Sequence, residues 1–173
     1  WFGLHGTNAL IEFVGEMQIV DGLEIPGKTD TPNKNPELMK LLGSRFIAHP
    51  PNMTIKIKVN DKSHPITKDL EDFEIFDEPY YCEFSDGIKI LLESRYTDDA
   101  DAYVSSSWKE DIPRPQMYLH KVGKGSVLYL MLGHCRGKYD MRPFMDECPV
   151  DRGGWESEVS VSYTHLTLPT TSP

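Results

Sequence analysis

Long apolar runs are missing from this chain. No stretch approaches the roughly 18 residues that a helix needs to cross a bilayer, so no membrane partner is expected. Positive charge is also short: 18 Lys and Arg stand against 27 Asp and Glu, a formal net charge of −9. With a pI near 5.1, a polyanionic backbone or an anionic membrane surface is a poor main partner, and nucleic acid is excluded on that ground. Cysteine is scarce. Cys82, Cys135 and Cys148 form no CxxC pair and no disulfide framework, which favours a reducing compartment, the cytoplasm. The only Gly-Lys-Gly, residues 123–125, has neither the GxxxxGK[ST] spacing nor a following helix, so no nucleotide cofactor is expected. No internal repeat is present.

What remains is ordinary globular material. The 173 residues are 39% hydrophobic and 26% charged, enough for one domain with a real core. The chain opens on "WFGLHG", which reads as the end of a buried strand and a tight turn. That start implies a domain whose earlier part, with any export signal, lies upstream of residue 1. A chain so truncated is expected to be poorly soluble or inactive by itself, because a sheet edge would be bare. The last stretch, Val159–Pro173, continues no strand or helix pattern and resembles the translated adapter tails of metagenomic reading frames. Residues 1–158 are therefore taken as the C-terminal portion of a single domain. Residues 159–173, His165 included, are taken as a non-native tail.

Residues 9–17, "ALIEFVGEM", carry Leu10, Phe13, Val14 and Met17 at helical spacing, which predicts a helix. Residues 21–36 read as loop. "PELMKLLG" predicts a short helix with Pro36 in its first turn and Gly43 at its stop. "MTIKIKV" alternates apolar and polar residues and predicts a half-buried strand. "DFEIF" and "IKILLES" predict further strands, and "QMYLHKV" and "SVLYLML" a hairpin closed by a three-residue Gly-Lys-Gly loop. The order suggests an α/β sheet with later antiparallel additions.

In such sheets the reactive crevice lies at the carboxyl ends of the strands. His5 follows "WFGL", Asp77 and Glu78 follow "FEIF", and His134 follows "LYLMLG". Two imidazoles and a carboxylate can form an open divalent-metal shell, or act as general acid and base. Plainer roles compete: His5 can cap a helix, and Glu78 can bond turn amides. Cys135 beside His134 is a poor nucleophile, because neighbours on an extended strand face opposite ways. Arg136 can hold an anion or hydroxyls, or pair with Asp140 or Glu147. His49, His64 and His120 read as structural histidines. Tyr80, Tyr81, Tyr96, Tyr103 and Trp108 can stack on sugar rings or simply pack.

At "WFGLHGTNA", "RFIAHPP", "IKVNDKSHPITKDLEDFEIFDEPYYCEF", "ILLESRY", "YLHKVGKGSVLYLMLGHCRGKYDMRP" and "DRGGWE" the chain resembles the ThuA-like, trehalose-utilisation family, over roughly residues 1–156. The resemblance implies a flavodoxin-like, class I glutamine amidotransferase-like three-layer sandwich, incomplete at its N-terminus. It implies carbohydrate catabolism, on trehalose, another disaccharide or a 3-keto-glycoside. The amidotransferase elbow cysteine has no counterpart in "GLHGTN", so glutamine hydrolysis is not expected. On this resemblance His5, Glu78 and His134 are expected as catalytic and metal-binding residues around a divalent ion, zinc by preference. Asn8, Tyr80 and Arg136 are expected to hold sugar hydroxyls. The chemistry would be a metal-assisted hydrolase, lyase or isomerase reaction in a protein able to form homo-oligomers. The alternative is a non-catalytic sugar-binding or interaction domain on the same scaffold.

Overall fold

The computed structural model describes residues 2–3, 12–20 and 22–132. Ten strands and one helix follow in chain order: β1 Phe2–Gly3, β2 Glu12–Val20, β3 Leu23–Asp30, α1 Pro36–Leu42, β4 Ser44–Ala48, β5 Met53–Val59, β6 Phe73–Asp77, β7 Tyr81–Phe84, β8 Lys89–Ser94, β9 Arg114–Val122 and β10 Gly125–Leu130. The main sheet has six strands in the order β1-β10-β9-β8-β5-β6. All its pairs are antiparallel except β1 with β10. Two ribbons, β2-β3 and β4-β7, complete the fold.

This corrects the expected flavodoxin-like α/β three-layer sandwich. The described chain is mostly antiparallel strand in a curled half-barrel, with one short helix. The physical reason is visible in the connections. A parallel sheet needs crossovers of a dozen or more residues, usually helical. Here α1 has seven residues and lies between the two ribbons instead of crossing the main sheet. A two-residue turn joins β9 to β10, and the longer connections from β5 to β6 (60–72) and from β8 to β9 (95–113) hold no helix to carry the chain back for a parallel return.

A second correction concerns the front of the chain. The expected helix over 9–17 is a strand from Glu12 onward, and the expected loop over 21–36 holds β3. The two pair as a ribbon with a bulge between Val14 and Met17. Gly15, at φ 94°, sits in that bulge and is a poor helix residue in any case. Gly27 faces it: a Cβ there would lie 2.1 Å from the Val14 carbonyl oxygen. The apolar spacing was real, but Val14, Met17 and Ile19 remain exposed.

Elsewhere the pattern holds. α1 starts at Asn35, whose side chain accepts from the Leu38 amide, and stops at Gly43 in the left-handed region. β5 buries Ile55, Ile57 and Val59 and exposes Thr54, Lys56 and Lys58. β9 and β10 form the expected hairpin, but Val122 pairs with Gly125, so Gly123 and Lys124 alone make the turn. Gly123 has φ 57°, as a tight hairpin turn of this kind requires.

The core is aromatic as much as aliphatic. Leu91, Leu92, Ile55, Ile57 and Met117 are buried with Tyr80, Tyr81, Tyr118 and Tyr129. Tyr118 and Tyr129 stack at 5.4 Å with rings 5° from parallel. The Tyr118 hydroxyl lies 3.0 Å from the Leu42 carbonyl and 2.8 Å from Ser44 Oγ, fastening the end of α1 to β9. His120 Nε2 lies 2.9 Å from the Lys40 carbonyl, the structural role expected of it.

Two outcomes follow from this packing. Gly43→Ala forces a Cβ to 2.7 Å from His120 Cγ at a φ of 86°; a loss of about 1–3 kcal/mol in urea unfolding is expected. Burial also raises the phenols of Tyr80, Tyr96, Tyr118 and Tyr129 above their ordinary value. The native state then keeps protons that the unfolded chain releases. Stability is intact below the unfolded tyrosine value, about pH 10, and falls above it by about 1.4 kcal/mol per pH unit for each such group. A melting temperature flat from pH 9 to 11 would contradict this.

Candidate functional site

The strand directions define one edge. β1, β10, β8 and β6 run the same way, so Gly3, Leu130, Ser94 and Asp77 end on one side of the sheet. β5 begins there, with Met53 opposite Asp77. Glu78 and Tyr80, two of the expected site residues, follow β6 on this edge and are buried. His5, Asn8, His134 and Arg136 lie outside the described residues, as does Cys135.

Glu78 is not alone. The loop after β4 carries His49-Pro50-Pro51-Asn52, and His49 Nδ1 stands 3.3 Å from Glu78 Oε1. The same nitrogen lies 2.9 Å from the Pro50 carbonyl oxygen. The Pro50 carbonyl can only accept, so Nδ1 carries a proton and donates to it. The Glu78 side chain is fully buried and that of His49 is 15% exposed. The Tyr80 hydroxyl lies 3.5 Å from Glu78 Oε2. Burial, and then the nearby charge of Asp77, holds the Tyr80 phenol well above its usual value, so it stays a donor. The rings of Tyr103, Phe46 and Tyr80 stand edge-on or tilted to the imidazole at 5.0–6.2 Å. Tyr103 is held by two bonds of the 102–104 loop to β3, where Thr29 N donates to the Ala102 carbonyl and Val104 N to the Thr29 carbonyl.

Asn52 completes the corner. Asn52 directly precedes Met53, the residue of β5 that pairs with Asp77. Its Nδ2 is buried with no acceptor among the described residues. A buried donor left so costs about 1–3 kcal/mol.

A second aromatic group supports the first. Arg114, buried at the start of β9, stacks its guanidinium 4.7 Å from the Tyr81 ring, 5.4 Å from Tyr96 and 5.8 Å from Trp108. Tyr81 and Trp108 themselves stack at 4.5 Å. Tyr96 donates through its hydroxyl to the Tyr80 carbonyl. These rings therefore pack rather than line a sugar platform, the plainer of the two roles the sequence allowed. His64 likewise bonds backbone, accepting from the Ile66 amide at 3.3 Å.

Among the described residues no group of three His, Cys, Asp or Glu side chains stands close enough to hold an ion. The ion expected between His5, Glu78 and His134 thus depends on two residues outside them. Sequence reasoning read His49 as a loop histidine bonding backbone, and its Nδ1 does meet the Pro50 carbonyl; what it did not foresee is the closeness of His49 to Glu78 and the buried amide of Asn52. The available signal was "AHPPN" itself: a histidine at a strand end, followed by two prolines that fix the chain path.

Comparison with known proteins comes from two sides. The model of the family described as ThuA, trehalose utilisation, matches residues 26–148. A ThuA-like protein from Parabacteroides merdae ATCC 43184 shares 18% identity at a TM-score of 0.40, covering 76% of this chain and 39% of its own. A ThuA-like protein from Bacteroides uniformis ATCC 8492 shares 20% identity at a TM-score of 0.41, covering 62% of this chain and 45% of its own. The chain spans less than half the length of either solved relative. No curated protein matches it.

Cys82 separates structural from reactive thiols. Burial pushes its thiol far above the ordinary value. It should resist iodoacetamide at pH 8 in the native protein and react fully in guanidinium, read by peptide mass mapping. Cys82 is half-buried, and labelling at the rate of a free thiol would contradict the raised thiol.

Proposed function

Since the chain belongs to the ThuA, trehalose-utilisation family, we propose that it acts in carbohydrate catabolism on a disaccharide or its 3-keto derivative through a His/Glu pocket. The observation that carries this reading is the Glu78 carboxylate, fully buried at a strand-end edge with an imidazole 3.3 Å away. A buried carboxylate beside an imidazole is a costly arrangement for packing alone, and a common one where protons are moved. Tyr80, against Glu78, keeps that carboxylate in place. His5, His134, Asn8 and Arg136 belong to the same proposal as further ligands of ion or sugar. With Glu78, the two histidines would give a divalent ion, zinc by preference, three donors. Such an ion polarises a keto oxygen or activates water.

The test is turnover of trehalose and of 3-keto-trehalose, followed by NMR, with binding of both sugars measured by calorimetry and bound metal by elemental analysis. Turnover that falls about a hundredfold in Glu78→Gln, with the fold kept by circular dichroism, is the expected result. Binding without turnover would replace the enzyme with the sugar-binding reading. Neither binding nor turnover would overturn both.

A further inference from the structure

We propose that the outer face of the β2-β3 ribbon is a self-association surface, covered by the same face of a second copy across a twofold axis at the Met17–Pro26 pair. The inference goes beyond the carbohydrate reading and does not rest on it.

A two-stranded ribbon in water is marginal by itself. This one joins no third strand as a ladder among the described residues. It is fastened near one end, where Thr29 bonds the 102–104 loop and Lys34 pairs with Glu12. Its outward face is nonetheless apolar along β2: Val14, Met17 and Ile19 are 45%, 61% and 73% exposed. The three share that face because they pair across the ribbon with Lys28, Pro26 and Glu24, alternate residues of β3. Val104, also exposed, lines an open hollow of about 480 Å³ together with Val14 and Lys28.

Charge selects the occupant. Glu24 and Lys28 are exposed, and neither enters an ion pair among the described residues. They stand on either side of Pro26 at equal spacing. A twofold axis across the strands at Met17 and Pro26 lays β2 on β2 and β3 on β3, antiparallel. Each Lys28 then meets Glu24 of the other copy. Val14 meets Ile19 of the other copy, which enters the hollow, and the two Met17 residues meet on the axis. An axis along the strands would instead set Val14 over Lys28 and bury a charge against an apolar group. The nine residues of β2, at about 3.3 Å each, make the face about 30 Å long. That is small for an interface, so the dimer is weak and concentration-dependent, with Kd about 1–100 μM.

The experiment is sedimentation equilibrium of the whole chain across its soluble range, with the fold checked by circular dichroism. Glu24→Lys and Lys28→Glu each place like charges at both contacts and should weaken the dimer about tenfold or more. Mixed in equal amounts, the two variants should form a heterodimer at least as tight as the wild-type dimer, because opposite charges face each other again. The variant carrying both changes should associate with itself as the wild type does. Ile19→Glu should stay monomeric while its melting temperature in dilute solution stays level, since Ile19 is exposed in the single copy. A wild type that is monomeric throughout overturns the proposal. So does association unchanged by either reversal, which puts the contact on another surface. Loss in both variants without recovery in the mixture overturns it too.

Discussion

A guanidinium with nowhere wet to go organises this molecule. Arg114 is buried at the first position of β9, with its charge over the faces of Tyr81, Tyr96 and Trp108. Its N–H groups reach the carbonyls of Tyr96 at 3.3 Å and Glu110 at 2.9 Å. A buried cation is tolerable only when so enclosed. The enclosure draws on β7, on the turn after β8, on the long 97–113 segment and on β9 itself. Tyr96 passes the order on, because its hydroxyl binds the Tyr80 carbonyl. Tyr80 touches Glu78, and Glu78 faces His49. The candidate site thus stands at the end of a chain of contacts that begins at one arginine.

How much of this was legible depended on whether a signal was local. α1 announced itself through Asn35, Pro36 and Gly43, and β5 through strict alternation, because caps and period are written in adjacent residues. The β9-β10 hairpin was legible for the same reason, its loop shorter by one residue than expected. β2 and β3 were not. Leu10, Phe13, Val14 and Met17 have helical spacing, and only the pairing of Phe13, Val14 and Met17 with Thr29, Lys28 and Pro26 of β3 makes a strand of most of them. The sandwich expectation failed more broadly. It came partly from the helix read over 9–17, which is strand from Glu12 onward, and partly from family likeness, and the described residues hold only α1.

The site divides in the same way. Glu78 and Tyr80 could be placed at a strand end from "FEIFDEPY", since a strand's last residue is a local matter. His49 could not, because its meaning comes from Glu78, a residue on a different strand pair. A histidine before Pro-Pro looks like a turn until the carboxylate is set beside it. The buried amide of Asn52 is likewise invisible in sequence: an asparagine shows whether it has a partner only once folded. His5, His134, Asn8 and Arg136 stay where the sequence put them, as expectations.

The single parallel pair has a consequence in time. β1 and β10 join Phe2 to Leu128, the two ends of the described chain, while every other ladder of the main sheet closes over a shorter span. Loop closure across so many residues is entropically the slowest and costliest step. On a ribosome, which delivers the chain from its front, β1 is made well before β10, its partner, and the β5-β6, β5-β8 and β8-β9 ladders can close before the two meet. Up to that moment β10 offers a bare edge to any other extended chain. Among the described strands of the main sheet, the pairing most open to misassembly is therefore that of β10 with β1.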